Sequence, residues 1–385
     1  MSPGGHHQWG TVNGPKKIMM LTSDISLLND PAGQYQKLVQ LFAANQTLLE
    51  DTFAHAWYKL ASRDMGPVTR CVGPWVPPAQ PFQFPLPETP SNLPDFDDVR
   101  NSIVKVMSRD ASSILRPDTY NGSAYYGALF VHLAWQAAST FRQTDYLGGA
   151  NGARIRFAPQ ANWPFNVGMN KTMEVLRPVY DQFNDNGFSL SWADLIVLAG
   201  TVALEEAVDV SKRSTTARKP HDDLDFCGGR TDASDGKGSN FLPPNGNYSL
   251  TVSEMKAVAR QLGLSHDQAV ALSARLRSPS QMARLGYFGS WTTNPTSLSN
   301  EYFITLLNND WQPFALPNGL SQYKAVGQQL FMTQTDLNLK YDATYLAIAQ
   351  EFASDNDLFL LTFQSAWTQV MNADRFDGPV GSVCV

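Results

Sequence analysis

The sequence has few of the residues that build metal sites and disulfide frameworks. Its 385 residues include 3 cysteines and 6 histidines, and Cys71, Cys227 and Cys384 stand far apart with no CxxC pair. Three separate thiols predict neither a disulfide framework nor a zinc site. They favour a reducing compartment, in which cysteines stay free.

Long apolar runs and an excess of positive charge are also missing. No apolar run is long enough to span a bilayer, and the first residues, MSPGGHHQWG, lack the apolar core of a signal peptide. The net charge of -6 argues against nucleic acid or an anionic membrane as a partner, because both attract basic surfaces. We therefore expect a cytoplasmic protein that binds neither. Walker loops and GxGxxG, GxSxG and HExxH motifs do not occur.

Apolar residues recur mainly at three- and four-residue steps, which predicts a mainly α protein. A hydrophobic content of 43% and a charged content of 17% are typical of a globular protein with a sizeable core. Ser191 and Ser265 are predicted N-caps, and Gln268 completes a capping box with Ser265. Helices are predicted over residues 96–110, 123–141, 169–184, 191–207, 251–262, 266–277, 300–308, 322–331, 342–352 and 357–372.

Two distant segments of the chain carry the same residues in the same order. Asp30, Phe53, Ala56-Trp57 and Gly66-Pro67 recur as Asp342, Phe363, Ala366-Trp367 and Gly378-Pro379, which indicates an internal repeat. Eight prolines in residues 71–94 predict an extended, semi-rigid linker. We predict a remnant of a first domain over residues 1–70, this linker over 71–94, and a helical domain over 95–385.

The second half of the chain carries two motifs that point to a family. Residues 270–277 read VALSARLR, and residues 289–295 read GSWTTNP. They resemble the proximal helix, VALSGxHTxG, and the following GxWTxNP loop of class I haem peroxidases, the group of cytochrome c, ascorbate and catalase-peroxidases. The resemblance implies a mainly α, class I haem-peroxidase-like fold. It also explains the repeat, since catalase-peroxidases have two tandem domains and the second usually lacks haem.

The match places Leu276 where the family has the histidine that binds the haem iron. Leucine has no lone pair to donate to iron, so the usual axial bond cannot form. The resemblance therefore implies no haem and no other cofactor, and no metal site is expected.

The segment GALFVHLAWQAASTFR, residues 127–142, resembles the distal helix of the family, in which RxxWH places three side chains over the haem. His132 stands in place of the arginine, Trp135 is kept, and Gln136 stands in place of the catalytic histidine. A neutral amide cannot take a proton near pH 7, so Gln136 cannot perform the acid–base step of peroxide cleavage. Asn166 matches the asparagine that bonds the distal histidine, and we expect it to bond Gln136 or a ligand.

On the proximal side, Trp291 matches the family's tryptophan, and Asp336 matches the aspartate that holds this tryptophan and the ligating histidine. Without that histidine, Asp336 would be buried with an uncompensated charge, which is costly. Arg277 follows Leu276 directly, and we hypothesise that its guanidinium supplies the missing cation. The alternative is an arginine that points into solvent.

Three functions remain open on the sequence alone. The former haem pocket, lined by His132, Trp135, Gln136, Asn166, Trp291 and Asp336, is reused for a small organic molecule, by binding or by cofactor-free isomerisation, cyclisation or dehydration. Alternatively, the chain is a haem-free structural or dimerisation module, which would make it a homodimer, or a haem peroxidase with an atypical ligand. If the protein is an enzyme, a lyase, isomerase or cyclase is expected rather than an active catalase or peroxidase.

Overall fold

The computed structural model describes residues 4–13, 18–208, 224–239 and 248–376. The chain divides into two compact units, Met1–Arg63 and Asp64–Val385. The proline-rich segment that was predicted as a separate linker therefore belongs to the second unit. Cys384 and the repeat pair Gly378-Pro379 lie outside the described residues.

The first unit is a short hairpin followed by helices. Strand β1 (Trp9–Gly10) pairs antiparallel with β2 (Met19–Met20). Helices α1 (Thr22–Ser26), α2 (Gln34–Ala44) and α3 (Gln46–Ser62) follow. None of these helices contains a buried residue.

The second unit is built mainly from helices around one apolar core. Its helices are α4 (Phe96–Met107), α5 (Gly127–Ala138), α6 (Met169–Asp185), α7 (Trp192–Ala207), α8 (Val252–Gln261), α9 (His266–Ser273), α10 (Pro279–Arg284), α11 (Glu301–Asn308), α12 (Gln334–Tyr341), α13 (Ala343–Ser354) and α14 (Asn356–Asn372). The mainly α prediction is confirmed, and so are the N-caps at Ser191 and Ser265. Among the described residues, no helix is long and apolar enough to cross a membrane.

Helices α3 and α14 share local geometry as well as sequence. Each begins after a polar N-cap whose side chain accepts a backbone N–H three residues later, at 3.0 Å for Asn45 and 2.9 Å for Asp355. Phe53 and Trp57 stack in α3 with ring centroids 6.1 Å apart, as Phe363 and Trp367 stack in α14 at 6.3 Å. Two copies of one ancestral unit would show this correspondence.

The core is organised on the contact between α5 and α7. Gly200 lets the two helices approach, because a Cβ at this position would lie 2.4 Å from the Cβ of Ala134 and 3.2 Å from the carbonyl oxygen of Phe130. Trp367 of α14 packs beside Gly200 and donates its indole N–H to Thr201 at 3.1 Å. The helix that carries Trp135 and Gln136 is thereby held rigidly.

A three-stranded antiparallel sheet replaces one predicted helix. Strands β5 (Trp311–Ala315), β6 (Ser321–Ala325) and β7 (Phe331–Thr333) follow two-stranded β3 (Asp118–Tyr120) and β4 (Ser123–Tyr125). The helix predicted over 322–331 is wrong, because a turn at Gly327, with φ of +75°, separates β6 from β7. Helix α12 then starts directly after β7 and positions Asp336 in its first turn.

The proline-rich segment is hydrogen-bonded to the irregular segment 224–239. The carbonyl oxygen of Pro87 accepts the hydroxyl of Thr231 at 3.0 Å, and Thr89 donates its hydroxyl to the carbonyl of Gly229 at 2.7 Å. One expectation about the cysteines is also wrong: Cys71 is free, but Cys227 is disulfide-bonded.

Candidate active site

The site begins where α9 ends. The capping box of Ser265 and Gln268 starts the helix, which ends at Ser273 and not at the predicted residue 277. Arg275 donates to the carbonyl of Leu272 at 3.0 Å, and Arg277 donates to the carbonyl of Ser273 at 3.0 Å. Both guanidinium groups thus bond carbonyls of the last helical turn, at the end where positive charge is favourable. The Leu272 carbonyl also accepts the backbone N–H of Arg275 at 3.3 Å.

Arg277 and Asp336 form a buried ion pair with two parallel hydrogen bonds. The Nη1 atom lies 2.9 Å from Oδ2 and the Nη2 atom lies 2.5 Å from Oδ1. Asp336 also accepts the hydroxyl of Tyr302 at 2.6 Å, and both the N–H and the hydroxyl of Thr333 at 2.8 Å. The two side chains are 6% and 1% exposed, so this network is closed to solvent.

Three aromatic rings enclose the Arg277 guanidinium. Its central carbon lies 5.5 Å from the ring centroids of Trp291 and Tyr302 and 5.7 Å from that of Tyr248. Aromatic faces attract a cation at such distances, most strongly when water is excluded. The region beside Trp291 is therefore filled by Arg277.

The charges in this network stabilise each other. Burial alone would raise the pKa of Asp336, but the guanidinium of Arg277 outweighs burial and holds the pKa below its usual value. Burial and the neighbouring Asp336 carboxylate both raise the pKa of the Tyr302 hydroxyl, which stays protonated. The site holds one fixed positive and one fixed negative charge, with no proton to exchange at neutral pH.

His132 on α5 is not suited to acid–base catalysis at neutral pH. Its Nε2 lies 3.1 Å from the carbonyl oxygen of Phe165, which can only accept, so Nε2 carries the proton. Burial lowers the pKa of His132 to about 4. The imidazole is therefore neutral at pH 7.

Asn166 and Gln136 do not bond each other through their side chains. The Asn166 amide donates to the carbonyl of Gln160 at 2.8 Å, and its Oδ1 is buried without a partner. Gln160 in turn donates to the backbone carbonyl of Gln136 at 3.3 Å. The Gln136 side chain makes no hydrogen bond with the described residues.

A cavity of about 170 Å³ lies between α5 and α9. Trp135, Gln136 and Ser139 form its α5 side, and Leu272, Ser273 and Arg275 form its α9 side. The remaining wall is mostly apolar and comes from the segment before α8, α8 itself, the start of α9, and α12 and α13. Its members are Phe165, Tyr248, Leu250, Met255, Val258, Ala259, Leu262, Leu264, Ala269, Thr335, Leu339 and Tyr345.

Arg275 reaches across this cavity to the distal helix. Its guanidinium carbon lies 4.3 Å above the ring centroid of Trp135, and burial lowers its pKa. Arg275 is not among the site residues predicted from the sequence. Its signal there is a second arginine two positions before Arg277, just after the apolar residues 269–272.

The predicted site residues thus fall into separate groups. Trp135 and Gln136 line the cavity, whereas His132, Asn166, Trp291 and Asp336 do not. Tyr302 and Tyr248, which hold Asp336 and Arg277, were not predicted either. Leu276 is 3% exposed and packs in the core. Within the described ranges, no group of three His, Cys, Asp or Glu side chains has metal-binding geometry.

Two polar contacts hold the start of α7 in place, an ion pair made by Arg230 and a hydrogen bond accepted by Asp232. Arg230 is fully buried and bonds Asp194 at 3.2 Å, while Asp232 accepts the backbone N–H of Trp192 at 2.9 Å. These contacts fix the N-terminus of α7, and through it the position of α5.

Known proteins resemble this chain over most of its length. The family model described as "Peroxidase" matches residues 111–355. A catalase-peroxidase of Caulobacter vibrioides is 34% identical over 98% of this chain and 54% of its own length. One from Pseudomonas fluorescens is 34% identical over 98% of the chain and 52% of its own length. A "Catalase-peroxidase 2" of Legionella pneumophila is 33% identical over 98% and 53%. The chain spans about half the length of these curated relatives.

Proposed function

Because this chain belongs to the peroxidase family and is a relative of the catalase-peroxidases, we propose that it binds a small organic molecule without haem. The binding site is the cavity between α5 and α9, where peroxidases of this class hold their porphyrin. The observation that carries the proposal is this cavity of about 170 Å³, bounded by the distal and proximal helices and walled mainly by apolar groups.

The residues of the site do not fit haem. Leu276 offers no donor atom to iron, and the neighbouring Arg277 is committed to Asp336. Arg275 spans the space between the helices that a porphyrin would occupy. The cavity is also smaller than the roughly 300–1,000 Å³ of sites for drug-sized ligands. His132 does not supply a substitute ligand from the cavity, because it is not among the residues that line it.

The size of the cavity suits a molecule of one ring or a short chain. An engineered apolar cavity of about 150 Å³ in another protein binds benzene. Here the apolar wall is joined by a few polar groups, which is the usual composition of a ligand site. The catalase or peroxidase activity of the relatives is not part of this proposal.

Binding is favoured over proton-transfer catalysis. The two groups suggested for acid–base steps, His132 and Asp336, do not line the cavity, and neither is poised to exchange protons at pH 7. An isomerase, cyclase or dehydratase would have to rely on the shape of the cavity and on Gln136 and Arg275. A cytoplasmic location and a homodimer remain predictions.

The test uses neutral probes and a filled cavity. We expect benzamide and toluene to bind the purified protein, measured by ligand-observed NMR and calorimetry. The variant Ala259→Phe should abolish this binding, because a buried wall residue would then occupy much of the space. Its stability should fall by about 1–3 kcal/mol, as for other overpacked cores. Haemin added to the wild-type protein should give no ligand-field shift of its Soret band.

A structural module is the second candidate, because Arg277 and its aromatic cage fill the region beside Trp291. In that case the wild-type protein would bind each probe no more tightly than the Ala259→Phe variant does. A haemin complex with a shifted Soret band would refute both proposals and restore a redox role.

A further inference from the structure

Arg275 is a cation at the cavity wall, and no carboxylate of the described residues forms an ion pair with it. Its hydrogen bond within the described residues goes to the Leu272 carbonyl at 3.0 Å, and no carboxylate there lies within ion-pair distance. Arg277, two residues later, has an aspartate of its own. In the part of the chain that the structure describes, Arg277 thus has a carboxylate within ion-pair distance and Arg275 does not.

The position of Arg275 makes it accessible to a molecule in the cavity. Its guanidinium carbon lies 4.3 Å from the Trp135 ring centroid, a contact that favours this placement of the group. The N–H groups that do not bond the Leu272 carbonyl can donate to a carboxylate. The uncompensated charge is costly in a half-buried place, and an anionic ligand would remove that cost.

A second unused donor faces the same cavity. Gln136 is 8% exposed, lines the cavity, and makes no side-chain hydrogen bond with the described residues. Its amide N–H₂ can donate to an oxygen atom, whereas its carbonyl can accept. The Gln136 amide lines the cavity and is therefore available to a ligand that enters it.

The rest of the wall specifies the other end of that ligand. Opposite the two polar side chains, the cavity is lined by aliphatic groups of α8, α9 and α12. They are Met255, Val258, Leu262, Leu264, Leu272 and Leu339. Such a wall binds an apolar body and excludes a second charge.

We propose that the ligand is a small monocarboxylate with an apolar body of one ring or a short chain. Its carboxylate pairs with Arg275 and accepts from Gln136, and its body lies against the aliphatic wall. This inference rests on the proposed function and adds the chemical class of the ligand.

The experiment compares a charged probe with its neutral counterpart of the same shape. Benzoate and benzamide differ in the carboxylate alone, and acetate keeps the carboxylate without the ring. At pH 7 we expect benzoate to bind the wild-type protein at least about 10-fold more tightly than benzamide, because hydrogen bonds to a charged group are the stronger kind. Acetate should bind more weakly than benzoate, since it leaves the aliphatic wall uncovered.

Two variants assign the effect to its residue. Arg275→Met should remove the preference for benzoate over benzamide. Arg275→Lys should keep part of the preference, because it retains the charge and loses the fork. The matched control is Arg177→Met, since Arg177 is also stacked on a tryptophan, at 4.6 Å from the Trp192 ring, and does not line the cavity.

The outcomes separate the two proposals. Equal binding of benzamide and benzoate to the wild-type protein, with Ala259→Phe defective for both, would overturn the carboxylate assignment and leave the small-molecule cavity standing. A benzoate preference that survives in Arg275→Met would likewise overturn it. If neither probe binds, the carboxylate assignment and the proposed function both fall. The wild-type comparison decides even if a variant does not fold.

Discussion

Replacing Arg277 by methionine tests the physical centre of the site. Methionine fills similar space and removes the charge, so Asp336 would remain buried at 1% exposure with its cation gone. Two charge-assisted hydrogen bonds would be lost, while those from Tyr302 and Thr333 would remain. Removal of one partner of a buried pair costs about 3–5 kcal/mol, and we expect Arg277→Met to lose this amount at pH 7.

The stability lost in Arg277→Met should depend on pH in a way that identifies its cause. In the wild-type protein the pKa of Asp336 is depressed, so its contribution is full above the unfolded value of about 3.8 and is lost only as the pH falls below it. Without Arg277, burial should raise the pKa of Asp336 instead. The variant would then take up a proton on folding, and its deficit should shrink between pH 7 and pH 5.

Urea unfolding followed by tryptophan fluorescence measures both effects. A double-mutant cycle with Asp336→Asn should return part of the lost stability, since the uncompensated charge is then removed. Arg177→Met is the control, because its ion pair with Asp181 is half exposed and contributes about 0–1 kcal/mol. A loss below about 1 kcal/mol in Arg277→Met, equal at pH 7 and pH 5, would refute the role of Arg277 as the compensating cation.

Two further substitutions test the frame around the site. His132→Phe should make the stability less dependent on pH on the acid side. The pKa of the buried histidine is lowered to about 4, so the wild-type protein must lose stability as the pH falls from about 6.5 to 4. We expect a loss of up to about 3 kcal/mol relative to the variant, measured by urea unfolding. A profile that is parallel in both proteins would contradict this. Gly200→Ala should lower the thermal midpoint, because its Cβ meets Ala134 at 2.4 Å, and Ala134→Gly in the same chain should restore it. No recovery would place the strain elsewhere.

The helical frame was predictable because its signals are local. Ser191 and Ser265 mark helix starts through their own hydrogen bonds to the backbone, and these bonds need no tertiary contact. The strands were missed because Tyr323, Val326 and Leu330 have helical spacing in the sequence. The left-handed turn at Gly327, which breaks that pattern, was the signal that should have been given more weight.

The site was predictable only where the burial of one charged residue requires a second residue of opposite charge. A buried Asp336 without its histidine requires a cation, and Arg277 was the nearest one along the chain. The direction of Arg275 was not predictable in the same way. It depends on the end of α9 at Ser273, which turns the two arginines to different neighbours, and the sequence favoured a helix that continues to residue 277.

The pairing of Arg277 with Asp336 also determines what a histidine introduced at position 276 would meet. A single Leu276→His change would introduce an imidazole. In class I peroxidases such an imidazole is held by an aspartate, and here the matching Asp336 is bonded to Arg277 and Tyr302. The new ring would gain no acceptor and would stand beside a fixed cation, which disfavours its protonated form. A histidine at position 276 would therefore also need a change at Arg277 before Asp336 could accept its ring N–H.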